Sequence, residues 1–272
     1  MNCTQPKVFN FSKPVYNFVM NKFTKSIEVP CGKCQACKMN SSTEWGDRLS
    51  HELPYHEKKC FVTLTYDEKN MPLTINNGKI LKTLSIRDIQ LWNKKLRQQL
   101  GSFKFFIAGE YGPKTKRPHY HGIYFGINVT EMSSTGYALW KKCESRNFVV
   151  KEVDETKLRY TAKYLVKENT DWPINYPKQK PFKLCSKGLG KEWALKNKNS
   201  IISNGYIIWP NGKKHPIPRY YKKLLGLTAR DIRQLTDFNI NDYIKKTSIK
   251  NSLQREKNLN TRAEITQARR DL

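Results

Sequence analysis

The chain has 272 residues, 38% of them hydrophobic and 12% aromatic, which is enough to bury the core of one large or two modest domains and excludes a largely disordered polypeptide. Lysine and arginine total 50 against 23 aspartates and glutamates, giving a formal charge of +27 that is spread along the chain. This charge predicts a polyanionic partner. Nucleic acid fits better than a membrane, because no apolar run approaches the length of a membrane span.

The N-terminal sequence and the cysteine count indicate a reducing compartment. Residues 1–7 lack the apolar core of a signal peptide, so we expect the protein in a cytoplasm. The cysteines are odd in number, seven in all, which favours thiols or metal ligands over disulfides in that compartment.

Three of these cysteines, Cys31, Cys34 and Cys37, recur at three-residue intervals and could wrap a tight turn around a metal ion. Either Cys3 or Cys60 could supply a fourth thiolate. A tetrahedral zinc site needs four ligands, usually in two close pairs, and no clear second pair is present. The cluster therefore suggests structural zinc, with a set of free or buried thiols as the alternative.

The next segments alternate between helix, strand and loop. Residues 43–53 have helical spacing up to Pro54, and residues 60–66 are almost all β-branched or aromatic, which predicts a strand. Residues 67–77 contain a proline and lead into Asn-Asn-Gly, which favours a loop. Ser85 is placed to cap a helix that runs to about Leu100, with Ile89, Trp92 and Leu96 on its buried side.

Two of the five histidines, His119 and His121, stand one residue apart in a segment with strand character. Side chains at this spacing project from the same face of a strand, and two neutral imidazoles can hold one divalent cation. The alternative is a pair of half-buried strand histidines. His51 and His56, near the end of the first helix, are interpreted as surface or satisfied histidines.

A single carboxylate ends the strand that precedes these histidines. Residues 103–110 are mostly apolar until Glu110, and a Gly, Pro and Lys-rich turn follows at residues 112–118. Strands joined in this way are expected to be hairpin neighbours. Glu110 can then approach both imidazoles.

A tyrosine-rich helix is predicted over residues 155–168, with Asp154 as its N-cap and Leu158 and Ala162 on its apolar side. Two phenols and two ammonium groups lie on one stripe of this helix: Tyr160, Tyr164, Lys163 and Lys167. The alternative reading of the stripe is a half-buried aromatic edge with solvated lysines.

The C-terminal third contains fewer recognisable patterns. Residues 169–183 are irregular, and residues 206–213 predict a hairpin tip. Residues 216–223 mix aromatic and basic side chains, as a surface for single-stranded DNA or an exposed loop would. From residue 228 the chain is expected to be helical and highly charged, and after about residue 250 to form a mobile tail or an arm across DNA.

Five motifs occur in a recognisable order. With them the chain resembles the replication initiators of small single-stranded-DNA phages, the microviruses and especially their gokushovirus branch, within the His-hydrophobe-His (HUH) endonucleases. The motifs are Pro-Cys-Gly-Lys-Cys-x-x-Cys (30–37), Phe-Val-Thr-Leu-Thr-Tyr (61–66), Gly-Glu-Tyr-Gly (109–112), Arg-Pro-His-Tyr-His-Gly (117–122) and Tyr-x-x-x-Tyr-x-x-Lys (160–167). They cover roughly the first two thirds of the chain. The family generally has a bulky hydrophobe where this sequence has Tyr120.

The resemblance implies an α+β fold, in which a five-stranded antiparallel sheet is flanked by helices and followed by a basic helical C-terminal region. The Phe61 and His119 strands would be central, and the tyrosine helix would lie across the metal. The implied organisation is a cysteine-containing N-terminal region (1–56), a nicking core (57–170) and a basic accessory region (171–272).

The same resemblance implies the site and its partners. Mg²⁺ or Mn²⁺ would be held by Glu110, His119 and His121, while Tyr160 or Tyr164 would attack the DNA. The product would be a 5′-phosphotyrosine link during rolling-circle replication, with Lys163 and Lys167 favouring the phenolate. Single-stranded DNA, the origin duplex and the host helicase and polymerase would be the partners, in the cytoplasm of a bacterial host and without a membrane.

Two other readings stay open at this point. A transposase or relaxase of the same nuclease group would use one tyrosine instead of two. A non-enzymatic, zinc-dependent regulator would use the cysteine cluster and the positive charge to bind nucleic acid without forming a covalent adduct.

Overall fold

A computed structural model describes most of the chain: residues 3–17, 22–112, 115–154, 157–158, 161–162, 176–209, 212, 214–228, 231, 257–258 and 261. The chain divides into two compact units, one of residues Arg48–Gly190 and one that joins Met1–Asp47 to Lys191–Leu272. The three segments expected from the sequence, with boundaries after residues 56 and 170, stay a prediction.

The described strands, in chain order, are β1 (Lys7–Asn17), β2 (Lys22–Val29), β3 (Lys59–Leu64), β4 (Leu73–Asn76), β5 (Lys79–Lys82), β6 (Lys104–Tyr111), β7 (Pro118–Phe125), β8 (Val149–Lys151), β9 (Phe182–Cys185), β10 (Tyr206–Ile208) and β11 (Lys214–Pro216). The described helices are α1 (Gln35–Glu52), α2 (Ile86–Leu100), α3 (Val129–Glu131), α4 (Tyr137–Trp140), α5 (Lys191–Lys196), α6 (Lys198–Asn204) and α7 (Arg219–Leu224). Short 3-10 turns at Leu53–Tyr55 and Ser145–Asn147 and a π-helical turn at Met132–Gly136 connect some of them.

The larger unit is built on a five-stranded sheet with the order β8-β3-β7-β6-β9. Every neighbouring pair in this sheet is antiparallel. The histidine strand β7 is the middle strand, and the Phe61 strand β3 lies directly beside it. The predicted α+β architecture with a five-stranded antiparallel sheet flanked by helices is therefore confirmed.

Helix α2 supplies the apolar layer on one face of this sheet. The Ser85 hydroxyl accepts a hydrogen bond from the Asp88 backbone N–H at 3.1 Å, and Gly101 ends the helix with a φ of +80°. Its apolar stripe is buried as predicted, in one core with the side chains that point to this face from β3, β6 and β7, including Val62, Ile107, Tyr120 and Tyr124. The opposite face of the sheet is left to carry chemistry.

Two predicted segments differ from the structure. The loop expected at residues 67–77 is wrong in part, because β4 and β5 pair there as a hairpin. Asn77 and Gly78 form its tip with positive φ angles of 49° and 75°, the conformation of a tight two-residue turn. The first helix begins at Gln35, well before residue 43, because it follows directly on the cysteine turn.

The smaller unit has its own core of Ala194, Ile201, Ile207, Ile217 and Tyr221. The predicted hairpin near residues 206–213 is confirmed by the pairing of β10 with β11. Tyr221 is fully buried on α7. It is therefore unavailable to DNA, and the expectation that residues 216–223 present all their aromatic rings at a binding surface is wrong for this ring.

Among the described residues, no helix is long and apolar enough to cross a membrane. None of the seven cysteines forms a disulfide. Most of the chain after residue 228, including the predicted charged helices and the tail, lies outside the described residues.

Candidate metal centre

The β6–β7 hairpin aligns the three residues from which the sequence predicts a metal site. In its register Glu110 pairs with His119, and Ala108 pairs with His121. Directly paired residues of antiparallel strands point to the same face, as do residues two apart on one strand. Glu110, His119 and His121 consequently share the face opposite α2.

The three side chains meet closely enough to share one cation. His119 Nε2 lies 2.7 Å from Glu110 Oε1, and His121 Nε2 lies 3.6 Å from the same oxygen. The ligand atoms of all three residues lie within 4.8 Å of one another. Glu110 and His121 are buried, while the His119 side chain is partly exposed. The group is therefore open to solvent on the side of His119.

Both imidazoles are oriented by contacts from outside the triad. Thr63 Oγ1 lies 3.1 Å from His121 Nδ1, and the Arg117 carbonyl oxygen lies 3.1 Å from His119 Nδ1. The Phe61 ring also stacks on His121, with centroids 5.9 Å apart and an interplanar angle of 14°. In this arrangement the Nε2 atoms are directed towards Glu110, as is common for histidines that bind metals.

Thr63 was not predicted as a site residue, although it lies in a motif that was recognised. The signal was available: Thr63 is two residues from Phe61, and the β3–β7 register pairs it with His121. A strand-face count places Phe61 and Thr63 on the same face as the histidines once the two strands are paired.

Tyr120, between the two histidines, faces the opposite way and is fully buried. Its hydroxyl lies 2.8 Å from the Tyr66 hydroxyl and accepts a hydrogen bond from the Ser85 backbone N–H at 2.8 Å. Burial raises the pKa of Tyr120 well above its ordinary value, although the bonds from Tyr66 and Ser85 act to lower it. Tyr120 is thus a core residue with a satisfied hydroxyl.

The predicted nucleophilic stripe, Tyr160, Lys163, Tyr164 and Lys167, lies outside the described residues. Its described neighbours agree with the predicted helix. Asp154 Oδ1 accepts a hydrogen bond from the Lys157 backbone N–H at 2.7 Å, as an N-cap does. Leu158 and Ala162, expected on the apolar side, are each 1% exposed.

The structure also brings together four cysteines in the smaller unit. The Sγ atoms of Cys3, Cys31, Cys34 and Cys37 lie within 4.8 Å of one another. Cys60, the other candidate for the fourth position, is instead buried in the core of the larger unit.

Local contacts make the Cys34 thiol unusually acidic. Burial acts to raise the pKa of Cys34, but hydrogen bonds from the Thr4 side chain and from the backbones of Cys37 and Thr4 outweigh it and bring the pKa to about 6. A thiol of this kind is readily converted to the thiolate that a metal binds.

The remaining described histidines have structural partners. His56 Nε2 lies 2.7 Å from Glu52 Oε1, which agrees with its prediction as a satisfied histidine. In the smaller unit His215 Nδ1 lies 2.8 Å from Asp47 Oδ1, and Trp209 Nε1 donates to the same oxygen. These contacts explain the two histidines without a metal.

The donor chemistry of Glu110, His119 and His121 fits a divalent cation. A carboxylate suits Mg²⁺ and Mn²⁺, and two imidazoles shift the preference towards transition metals such as Mn²⁺. Three protein ligands on one face leave further coordination positions for substrate oxygens.

Comparison with known proteins gives a consistent set of relatives. The family model for the replication-associated protein ORF2 matches residues 59–169, a range that contains the metal triad and the tyrosine stripe. The chain is 29% identical over 251 residues to the replication-associated protein VP4 of Bdellovibrio phage phiMH2K, covering 82% of this chain and 76% of that protein. It is 28% identical over 254 residues to the replication-associated protein ORF2 of Spiroplasma virus 4, covering 85% and 77% respectively.

Among solved structures, the N-terminal nuclease domain of non-structural protein 1 of minute virus of mice matches with 12% identity and a TM-score of 0.22. The match covers 58% of this chain and 81% of that domain. The fold assignment above rests on the strand order of this chain and not on that likeness.

Proposed function

We propose that this chain, whose resemblance to microvirus-type replication-associated proteins the comparisons confirm, initiates rolling-circle replication by nicking and rejoining single-stranded DNA through a covalent 5′-phosphotyrosine intermediate. The observation that carries the proposal is the convergence of Glu110, His119 and His121, with ligand atoms within 4.8 Å of one another on adjacent strands. A pair of unrelated strand histidines would not require a carboxylate in register with them.

In this proposal Glu110, His119 and His121 hold Mg²⁺ or Mn²⁺. A cation bound there supplies Lewis-acid polarisation of the scissile phosphodiester and neutralises charge that develops on its oxygens. Thr63 and the Arg117 carbonyl fix the imidazole rings, so that the ligand atoms are in place before DNA arrives.

The nucleophile is the phenolate oxygen of Tyr160 or Tyr164. It attacks the phosphorus, the new phosphorus–oxygen bond forms, and the bond to the 3′ oxygen breaks; that oxygen takes up a proton to become a free 3′ hydroxyl. A phenol has a pKa near ~10, so a neighbouring cation is needed to favour the phenolate, and Lys163 and Lys167 are the residues proposed for this task.

Two tyrosines one helical turn apart suit repeated cleavage and joining. While one phenol carries the 5′ end of the DNA, the other can attack a second phosphodiester. The free 3′ hydroxyl can prime synthesis by a host polymerase, and the origin duplex would be opened with a host helicase. The excess of basic residues serves to attract the DNA backbone in the bacterial cytoplasm.

An adduct assay tests the proposal. The full chain is incubated with Mn²⁺ or Mg²⁺ and single-stranded oligonucleotides that tile the genome encoding it, each labelled at its 3′ end. The tyrosine retains the 5′ phosphate of the downstream fragment, so the label should move with the protein after denaturation. The adduct should require metal and should be lost in His121→Ala.

Tyrosine variants separate the proposal from its rivals. Tyr160→Phe and Tyr164→Phe should each impair repeated cleavage and joining, and the double variant should form no adduct, whereas Tyr206→Phe, a tyrosine of the β10 strand, should behave as wild type. If one tyrosine alone accounts for all activity, the chain acts like a transposase or relaxase and the two-tyrosine proposal fails. DNA binding without any adduct would instead identify a non-enzymatic regulator.

A further inference from the structure

We infer that Cys3, Cys31, Cys34 and Cys37 bind one Zn²⁺ ion as four thiolates, and that this ion anchors the β1–β2 hairpin to the start of α1. The inference goes beyond the proposed nicking activity and does not depend on it. It rests on the arrangement of the four sulfur atoms and on the weak support that the hairpin receives from the rest of the described chain.

The sulfur positions match a tetrahedral site for a single ion. Metal–sulfur bonds of about 2.3 Å in a tetrahedron place the sulfurs about 3.8 Å apart. Cys3 Sγ lies 3.7 Å from Cys34 Sγ, and Cys31 Sγ lies 4.0 Å from Cys37 Sγ. Because all four sulfurs lie within 4.8 Å of one another, the cluster has the dimensions of one ion with four ligands.

Backbone hydrogen bonds already support negative charge on the sulfurs. The Lys33 and Cys34 backbone N–H groups donate to Cys31 Sγ at 3.3 and 3.2 Å, and the Cys31 N–H donates to Cys3 Sγ at 3.3 Å. Gly32 makes this turn possible with a φ of +74°, a conformation that other residues rarely adopt. Such donors stabilise thiolates and orient them towards a metal.

Two other uses of four close cysteines fit less well. A disulfide requires sulfurs about 2 Å apart, and every cysteine is free. A cluster of several irons places further atoms between the thiolates and so needs sulfurs farther apart than a single ion does. A tetrahedral set of four thiolates around one ion is the usual structural zinc arrangement.

The hairpin gives the ion a structural task. Cys3 precedes β1 and Cys31 follows β2, so the ion would join both ends of the hairpin to Cys34 and Cys37 at the start of α1. Most described residues of β1 and β2 are exposed, including Phe9 at 53% and Phe23 at 70%. An isolated two-stranded hairpin is marginally stable in water, so the metal would contribute the stability that packing does not.

Metal analysis of the purified full chain tests the inference. We expect about one zinc per chain in the wild type. Cys34→Ser should lose the metal, whereas Cys185→Ser should retain it, because Cys185 is an exposed thiol on β9 outside the cluster. Absence of zinc, retention of zinc in Cys34→Ser, iron in the site, or a disulfide detected by mass spectrometry would overturn the inference.

A second measurement covers the case in which Cys34→Ser fails to fold. Cobalt is exchanged into the wild-type protein, and a tetrahedral four-thiolate site should give intense sulfur-to-metal charge-transfer absorption. Removing the metal should speed hydrogen exchange in residues 7–17 and 22–29 while leaving β6 and β7 unchanged. Exchange that stays the same in the hairpin would show that no ion anchors it. The tyrosine and His121 variants should keep their zinc, so failure of the nicking proposal would be distinguishable.

Discussion

His121 is the triad residue whose orientation depends most on its neighbours. Its Nδ1 atom contacts the Thr63 hydroxyl at 3.1 Å, and its ring stacks on Phe61. The tautomer that hydrogen-bonds through Nδ1 leaves Nε2 directed towards Glu110. Thr63 is therefore a positioning residue that acts through His121 rather than a ligand.

Replacing Thr63 with Val tests this role, because valine keeps the shape and removes only the hydroxyl. We expect Mn²⁺ affinity to fall by about 10- to 100-fold, the usual effect of losing such a partner. Isothermal titration calorimetry of the full chain with Mn²⁺ alone measures the change independently of nicking.

Thr65→Val is the matched control, since the Thr65 hydroxyl donates to the Asn147 carbonyl oxygen at 3.1 Å and lies in the same motif. Its Mn²⁺ affinity should stay at the wild-type value. Equal losses in both variants would indicate general damage to β3 and would refute the positioning role of Thr63.

At this scale the sequence predicts proximity better than fine orientation. The closeness of Glu110 to His119 follows from two strands joined by a short turn. The choice of Cys3 over Cys60 does not, because it depends on the return of the chain after the whole β1–β2 hairpin. The contact between Thr63 and His121 likewise depends on the pairing of strands that are distant in sequence.

The C-terminal end of α1 shows how one element is fixed within the larger unit. Glu52 is 1% exposed, and its carboxylate contacts Lys104 Nζ at 2.6 Å, His56 Nε2 at 2.7 Å and the Gly190 backbone N–H at 2.6 Å. Burial would raise the pKa of Glu52, but these hydrogen bonds outweigh it and lower the pKa below its ordinary value.

A lowered pKa in the folded protein means that the Glu52 carboxylate stabilises the fold above the pKa of the unfolded chain, about 4.3. That stability is lost as pH falls through the folded pKa. We expect Glu52→Gln to lower the free energy of unfolding by about 1–3 kcal/mol at pH 7, with the difference from wild type narrowing below about pH 4.3.

Urea unfolding followed by tryptophan fluorescence at pH 7 and at acidic pH provides the measurement. Glu57→Gln, an exposed carboxylate in the following segment, serves as control and should change stability little at either pH. A Glu52→Gln deficit that does not depend on pH would rule out the charge as its cause.

Element periodicity accounts for much of the predicted sheet and for the β4–β5 error. The capped helix α2 and the apolar strands β3 and β6 carry strong local patterns, and the structure confirms them. The β4–β5 hairpin has exposed Leu73, Ile75 and Ile80, so its alternation does not correspond to burial and resembles a loop. Its Asn-Gly turn was the informative signal.

Across the whole molecule, the positive charge is not confined to one motif. The excess of 50 basic over 23 acidic residues includes four exposed lysines on β1 and β2: Lys7, Lys13, Lys22 and Lys25. Contacts to phosphates carry no sequence information, so charge should set affinity while the metal site and tyrosines set where cleavage occurs. Overall charge was predictable from composition, but its placement on a hairpin was not.

We expect the binding of single-stranded DNA to depend steeply on salt. The logarithm of the association constant should fall linearly with the logarithm of KCl concentration, by about 0.7 for each phosphate contacted. Random and origin sequences should share nearly the same slope in fluorescence anisotropy, although only the origin strand forms an adduct. Replacing the four hairpin lysines with glutamine should reduce the slope, whereas Lys94→Gln with Lys95→Gln, on the outer side of α2, should change it less. An affinity independent of salt would contradict a binding mode based on charge.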